Sequence, residues 1–382
     1  MLRLTLHPVE LPLRHAWTIA HGTRTVQRNL IVALHDEHTG HVGYGEAPGI
    51  PYMGVNPEAV AELLRPFNGP WFIDDDTDVA PYELAGFVHD GWNSMDQDGV
   101  MTRGLRPAFG QTLDTPAFRF ACCALDQAMY DLYGKNRGLP LNQHWRLDPA
   151  VVPTSSYTLG LAAPEVMADK LAEFPDFPYY KIKLGTGDPR NDLGIVEHLR
   201  RHTDRPFRVD ANTAWTAEET IRLSGPLRDL GVEFIEQPLK PALPRSEHEA
   251  VFFGSDLPVI ADESCQTEED VEKCAGLFHG VNIKLCKCGG MTPARRMIAK
   301  ARELDLRVMM GCMTETTVGI SALAQFLPLL DYVDMDGALL LAPGSDPAEG
   351  VRLGNDGVAA FPEGDAAHGN GVRLKRELPE LA

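Results

Sequence analysis

The sequence predicts an α/β protein: a barrel of eight parallel strands with helices between them, accompanied by a smaller module. Three observations carry this. Eight short apolar or β-branched runs, each ending in a polar residue, alternate with amphipathic stretches between residues 156 and 337. Polar residues at their ends recur at the spacing of one strand–helix unit: Thr158, Lys183, Asp210, Glu236, Asp262 and Lys287 are separated by 25, 27, 26, 26 and 25 residues. The chain, at 382 residues, exceeds the roughly 250 residues of a typical barrel. A closed ring gathers its strand ends around one site, whereas an open doubly wound sheet spreads them along a line. No G-x-G-x-x-G follows the first strand, which also weighs against the open sheet.

The elements follow in order. Met1 to His7 alternates apolar and polar residues like a strand and lacks the continuous apolar core of a signal peptide. Leu30 to His35 and Val42 to Glu46 flank the turn-like Asp36 to His41, a predicted hairpin. Pro57 to Leu64 has a helical pattern, Trp71 to Asp78 is an acidic stretch, and Gly91 to Gly110 is loop-like. Ala117 to Tyr133 carries apolar residues at helical spacing and is expected to stop at Gly134.

The eight barrel strands are then expected at 156–160, 180–185, 207–212, 233–238, 259–264, 281–287, 307–313 and 332–337. Thr267 before Glu268-Glu269-Asp270 marks one helix start. Thr292-Pro293 is expected to be another, as an N-cap followed by proline at the first helical position.

Composition excludes several classes. Hydrophobic residues at 44% and charged residues at 23% are ordinary for a globular protein. The net charge of −19 provides no positive field to draw in nucleic acid. No run of about 18 apolar residues suggests a membrane helix. Seven scattered cysteines form no zinc-type pair of C-x-x-C motifs and are read as buried free thiols. A cytoplasmic location is expected on those grounds.

Asp210, Glu236 and Asp262 end three consecutive strands, and three converging carboxylates repel unless a cation lies between them. Oxygen-only ligation points to one hard divalent ion, Mg2+ or Mn2+. Asn212 shares the parity of Asp210 and could support the ion or the substrate. Glu263 is expected to face away from Asp262. Lys183 and Lys287 flank the triad, one strand before and one after, and Lys181 shares the inward face of Lys183. Each lysine beside a second ammonium and a divalent ion would have its pKa lowered toward the range of a base. Lys284, out of phase with Lys287, is expected to be a solvated surface residue.

Taken together, Lys181-Ile-Lys183, Asp210-Ala-Asn212, Glu236-Gln-Pro238, Asp262-Glu-Ser264 and Lys287-Cys-Gly-Gly290 resemble the enolase superfamily in its muconate-lactonising group. Ala124 to Lys135 is similar to the helix that opens the family's barrel, and Gly43-x-Gly-Glu46 to a segment of its capping domain. The resemblance implies a modified TIM barrel, (β/α)7β, at residues 126–344. It also implies an α+β capping domain from residues 1–125, to which 345–382 returns. Thr18 to Arg24 and Ile50 to Val55 are then the specificity loops. The absence of histidine from Met309 to Glu315 favours the two-lysine group over the mandelate-racemase group.

The implied chemistry is 1,1-proton transfer, with Lys183 and Lys287 on opposite faces of an α-carbon and Mg2+, one per subunit, stabilising the charge that develops. Within the group, Asp334-Met-Asp336 resembles the dipeptide-epimerase signature that holds the N-terminal ammonium. Thr158, Cys312 and Met313 match positions lining the same pocket. His21-Gly22 stand where the Ala–Glu epimerase pattern has an arginine, with Arg24 nearby. The expected protein is therefore a dipeptide epimerase with a small-molecule dipeptide substrate and no nucleic-acid or membrane partner; a homo-oligomer is compatible with this. The alternatives are o-succinylbenzoate synthase, N-acylamino acid racemase, muconate cycloisomerase, or a non-catalytic metal-binding barrel.

Overall fold

The computed structural model describes residues 2–19, 22–65, 70–71, 115–148 and 152–381. The acidic stretch after Trp71 and the loop-like segment Gly91 to Gly110 lie outside them. Strands β1 (Leu2–Ile19), β2 (Gly22–Asp36), β3 (Val42–Pro48) and the short β4 (Pro70–Trp71) form an antiparallel sheet in the order β3-β2-β1-β4. The expected hairpin is β2–β3, with Asp36 Oδ1 accepting from the His38 amide in its turn. Pro57–Leu64 is a helix capped by Asn56, whose side chain accepts from Ala59 N.

The second sheet contains eight parallel strands in chain order: β5 (Ser156–Leu159), β6 (Tyr179–Lys183), β7 (Phe207–Asp210), β8 (Val232–Glu236), β9 (Val259–Ala261), β10 (Gly280–Ile283), β11 (Arg307–Gly311) and β12 (Tyr332–Asp334). A parallel bridge between Ser155 and Val333 joins its two ends. Outward residues such as Ile182, Val209 and Ile235 pack beneath the surrounding helices. Phe234, Ile260 and Met309, with Tyr332 against them, fill the interior below the strand ends. Inward alternation thus becomes apolar at the bottom and charged at the top. No helix among the described residues is long and apolar enough to cross a membrane.

Two helix boundaries differ from the sequence expectation. The helix Pro116–Arg137 runs through Gly134 and ends at Gly138, which takes a left-handed φ of 62°. Tertiary packing carries Gly134 along: a side chain there would meet Gly369 and the Leu139 carbonyl. The helix expected to begin at Thr292 spans Met291–Glu303, with Gly290 as N-cap. Thr292 instead gives its amide and hydroxyl to the buried Asp126, at 2.9 and 3.0 Å. The expected start at Thr267 stands, with Asp270 completing a capping box.

The Gly43-x-Gly-Glu46 segment joins sheet to barrel. A Cβ at Gly43 or Gly45 would overlap the backbone carbonyls of Ala128 and Ala124 on the helix Pro116–Arg137, so only glycine admits this approach. Glu46 then reaches the N-terminus of the helix Thr317–Ala324, accepting from Thr316 Oγ1 at 2.6 Å and Gly319 N at 3.0 Å. A carboxylate at that end meets free amides and the positive end of the helix dipole. The sheet is thereby held over the mouth of the barrel.

Candidate active site

Backbone register assembles the site. Lys183 pairs with Asp210, and Asp210 pairs with Glu236, so three neighbouring strands present their last residues at one height. Asp262 follows immediately after β9. One carboxylate oxygen from each of Asp210, Glu236 and Asp262 lies within 4.8 Å of the others, and all three residues are buried. This compact, oxygen-only donor set fits a hard divalent ion. Asn212 lines the same cleft, and among the described residues its buried Oδ1 has no hydrogen-bond partner, a further oxygen open to a ligand.

Four lysines balance the carboxylates. Lys183 Nζ lies 2.5 Å from Asp210 Oδ2. Lys181 Nζ reaches Glu236 Oε2 at 2.5 Å, Asp334 Oδ2 at 2.7 Å and Asp210 Oδ2 at 3.5 Å. Lys284 and Lys287 divide Asp262, at 2.8 Å from Oδ2 and 2.7 Å from Oδ1 respectively.

Three side chains are placed otherwise than the sequence suggests. Lys284 is not on the surface: it is 7% exposed and lines the cleft that also contains Lys183 and Asp262. Lys287, expected to be the second base, does not line that cleft. The reason is local: β10 ends at Ile283, and Leu285–Cys288 turn as one turn of helix. Strand alternation therefore ceases before Lys287. Glu263 likewise does not face away, because β9 ends at Ala261; it lines the cleft beside Asp262.

Electrostatics follow from burial and these partners. Burial raises the Asp210 carboxyl, but Lys183 and Lys181 outweigh it and hold the group below the ordinary range. Asp262 is likewise held low, against burial, by Lys284 and Lys287. Glu236 is pushed up to about 7 by burial and the neighbouring Asp210 charge. Burial works against the Lys284 ammonium, yet Asp262 and Glu236 lift it well above the usual lysine value.

The remaining expected residues converge on this cleft. Thr158, Lys181, Cys312, Met313, Asp334 and Asp336 all line it. Asp336 Oδ2 accepts from the Thr158 amide at 2.6 Å, and burial with the Asp334 charge pushes its carboxyl up to about 6. Trp17 and Arg24 from the antiparallel sheet, with Ile50 and Tyr52 from the segment after β3, also line the cleft. Arg24 Nη2 donates to Thr314 Oγ1 at 3.0 Å, while among the described residues its buried Nε has no hydrogen-bond partner. His21 lies outside the described residues. Sequence reasoning missed Ser156, whose hydroxyl donates to Asp334 Oδ1; its parity with Thr158 on β5 was the available signal.

A closed parallel barrel with a carboxylate triad and lysines at its strand ends defines a metal-assisted proton-transfer class of enzyme. The chain belongs to the enolase C-terminal domain-like family, whose model matches residues 165–378. It is 44% identical to an L-Ala-D/L-amino acid epimerase of Maribacter sp., over 98% of this chain and all of that one. It is 33% identical to a hydrophobic dipeptide epimerase of a Flavobacteria bacterium, over 99% of each. The dipeptide epimerase of Enterococcus faecalis V583, solved with Mg and L-Leu-L-Tyr, superposes with a TM-score of 0.81. That pair is 27% identical and aligned over 97% of this chain and 98% of the other.

Proposed function

We propose that this protein is a dipeptide epimerase that inverts the α-carbon of the C-terminal residue by two-lysine 1,1-proton transfer. The observation that carries it is that Lys183 and Lys284 enter one cleft from either side of the strands bearing Asp210, Glu236 and Asp262, with Asp336 facing the same space. Lys284 takes the second-base role that the sequence assigned to Lys287.

Asp210, Glu236 and Asp262 would hold the divalent ion, Mg2+ as in the Enterococcus relative, which supplies positive charge beside the substrate carboxylate as negative charge develops there. One lysine, as the neutral amine, accepts the α-proton at Nζ. The other, as the ammonium, returns a proton to the opposite face. The roles exchange for the reverse direction, so each stereoisomer meets its own base. Lys181 stands where its ammonium can hold the substrate carboxylate. Thr158, Cys312 and Met313 line the part of the cleft next to Asp334 and Asp336.

The dipeptide assignment is supported by charge. Asp336 lies in a buried pocket where a carboxylate is costly without a cation, and the N-terminal ammonium of a dipeptide supplies one. The substrates of o-succinylbenzoate synthase and muconate cycloisomerase have no such group. The wall of Trp17, Ile50 and Tyr52 with one guanidinium, Arg24, accommodates apolar as well as acidic C-terminal side chains. This agrees with a relative named for L-Ala-D/L-amino acids.

The test is proton exchange in D2O with a mixed library of free dipeptides and N-acylated amino acids. Deuterium should appear at the C-terminal α-position of free dipeptides. Exchange confined to N-acylated amino acids would replace this reading with acylamino-acid racemisation.

A further inference from the structure

Arg24, Ile50, Tyr52 and Thr314 meet in the cleft although they come from three separate segments: β2, the stretch after β3 and the loop after β11. One side chain behind the cleft joins the last two. Asn29, on β2, is fully buried. Its Oδ1 accepts from Gln27 Nε2 at 2.6 Å and from the amide of Gly49, the residue before Ile50, at 3.2 Å. Its Nδ2 donates to Glu46 Oε1 at 2.6 Å and to the Thr314 carbonyl at 3.1 Å. The Gly49 amide and the Thr314 carbonyl fix which end of the Asn29 side chain is the oxygen and which the nitrogen. Gln27 holds Gly49 a second time, donating to its carbonyl at 2.9 Å. Glu46 is anchored in turn to the Thr316 amide and hydroxyl, at 3.0 and 2.6 Å. A Cβ at Gly49 would overlap the Arg28 carbonyl, so this segment lies directly on β2.

We propose that Asn29 is a positioning residue for substrate selectivity: it sets Ile50 and Tyr52 against Thr314, and so fixes the room left for the side chain of the substrate's C-terminal residue. This rests on the dipeptide reading above, in which that side chain meets Trp17, Arg24, Ile50 and Tyr52. Thr314 carries the effect to Arg24 as well, because its hydroxyl accepts from that guanidinium. Truncating Asn29 takes a donor from the Thr314 carbonyl and from Glu46. A buried acceptor without its donor is costly until it shifts to find another, so the two segments should separate. The Asp336 end of the cleft is held independently. There the Cys312 amide donates to the Asp334 carbonyl at 2.9 Å, and the Met313 amide to Glu315 Oε1 at 2.8 Å. Asn29 should therefore govern one end of the substrate and not the other.

The test uses the full-length, Mg-loaded protein and compares kcat/KM for three substrates. L-Ala-L-Ala is the reference, L-Ala-L-Leu enlarges the C-terminal side chain, and L-Leu-L-Ala enlarges the N-terminal one. A ratio of two kcat/KM values on one sample does not depend on the fraction folded, so lost stability alone leaves it unchanged. In Asn29→Ala the Leu-to-Ala ratio at the C-terminal residue should rise roughly tenfold, since the fit of one methylene in a pocket is worth about ten- to two-hundredfold. The ratio at the N-terminal residue should keep its wild-type value. Gln27→Met should shift the first ratio in the same direction by less, because it deletes the bond to the Gly49 carbonyl and leaves Asn29 on Thr314. It also removes Gln27 Oε1, which is buried without a hydrogen-bond partner among the described residues, and so serves where Asn29→Ala does not fold. An unchanged or lowered C-terminal ratio in folded Asn29→Ala, or in Gln27→Met standing in for it, overturns the proposal; so does an equal shift of both ratios. Absence of wild-type turnover on all three dipeptides overturns the dipeptide reading and the inference with it.

Discussion

Lys284 Nζ lies 2.8 Å from Asp262 Oδ2, although the two residues are separated by 22 positions rather than the 25 to 27 that space the other strand-end groups. The early end of β10 causes the difference: the chain turns at Lys284, which becomes the residue delivered to the cleft. Lys287, three residues later, holds the other oxygen of the same carboxylate.

The lysine pair therefore makes a prediction that separates three residues. Lys183→Ala and Lys284→Ala should each abolish epimerisation, by at least the roughly hundredfold typical of a lost general acid–base group. Each should retain exchange of the α-proton of one stereoisomer only, and the two variants should retain opposite ones. Lys287→Met should lower activity without stereochemical bias, because its ammonium supports Asp262. Deuterium incorporation from L,L and L,D dipeptides measures all three, and biased exchange in Lys287→Met would restore Lys287 as the base.

Metal removal should be equally informative. Glu236→Gln keeps the shape but removes one charge from the triad. Loss of several kcal/mol of charge stabilisation corresponds to roughly a hundredfold or more in kcat. Calorimetric titration with Mg2+ should show weakened binding while circular dichroism stays native. Full activity after chelation would contradict the assigned donor set.

The triad was legible because β7, β8 and β9 each close at nearly one period, so counting residues located Asp210, Glu236 and Asp262 without any model of the loops. Counting failed at Lys284 and Glu263, where strands stop short and the two-residue alternation ends with them. The bond from Ser156 to Asp334 spans 178 positions across the barrel seam, a pairing that no local pattern encodes. The roles of Gly43 and Gly45 were also invisible locally, since their reason is the helix lying against them.

Glu315 makes a prediction about stability. Its carboxyl is buried and is pushed up to about 8 by burial and the Glu46 charge, against the Met313 amide bond. The folded chain keeps this proton up to about pH 8, whereas the unfolded chain releases it near the ordinary glutamate value. Between those limits the native state binds more protons, so stability falls as pH rises through that window and levels off above it. Glu315→Gln, which can still accept from Met313 N, should remove that loss and exceed wild type by roughly a few kcal/mol above pH 8. Urea unfolding of both proteins at pH 5 and pH 8.5 measures it; an unchanged difference between the two pH values would mean that Glu315 ionises normally.

Asp336 gives a pH signature to substrate recognition. Its carboxyl is raised to about 6, so it is ionised at pH 7.5 and largely protonated at pH 5. A protonated carboxyl presents no charge to an ammonium, so kcat/KM for free dipeptides should fall as pH drops through about 6, approaching tenfold per pH unit below it. Other groups in the cleft titrate as well, and the ratio of free to N-acetylated substrate removes what they contribute equally to both. That ratio should be large at pH 7.5 and shrink toward pH 5 in wild type. In Asp336→Asn it should be small and flat, because the amide has no charge to lose. A ratio that stays constant from pH 5 to 7.5 in wild type would mean that the ammonium is held by a group ionised throughout, and would return that role to Asp334, which Lys181 keeps below the ordinary carboxylate range against the effect of burial.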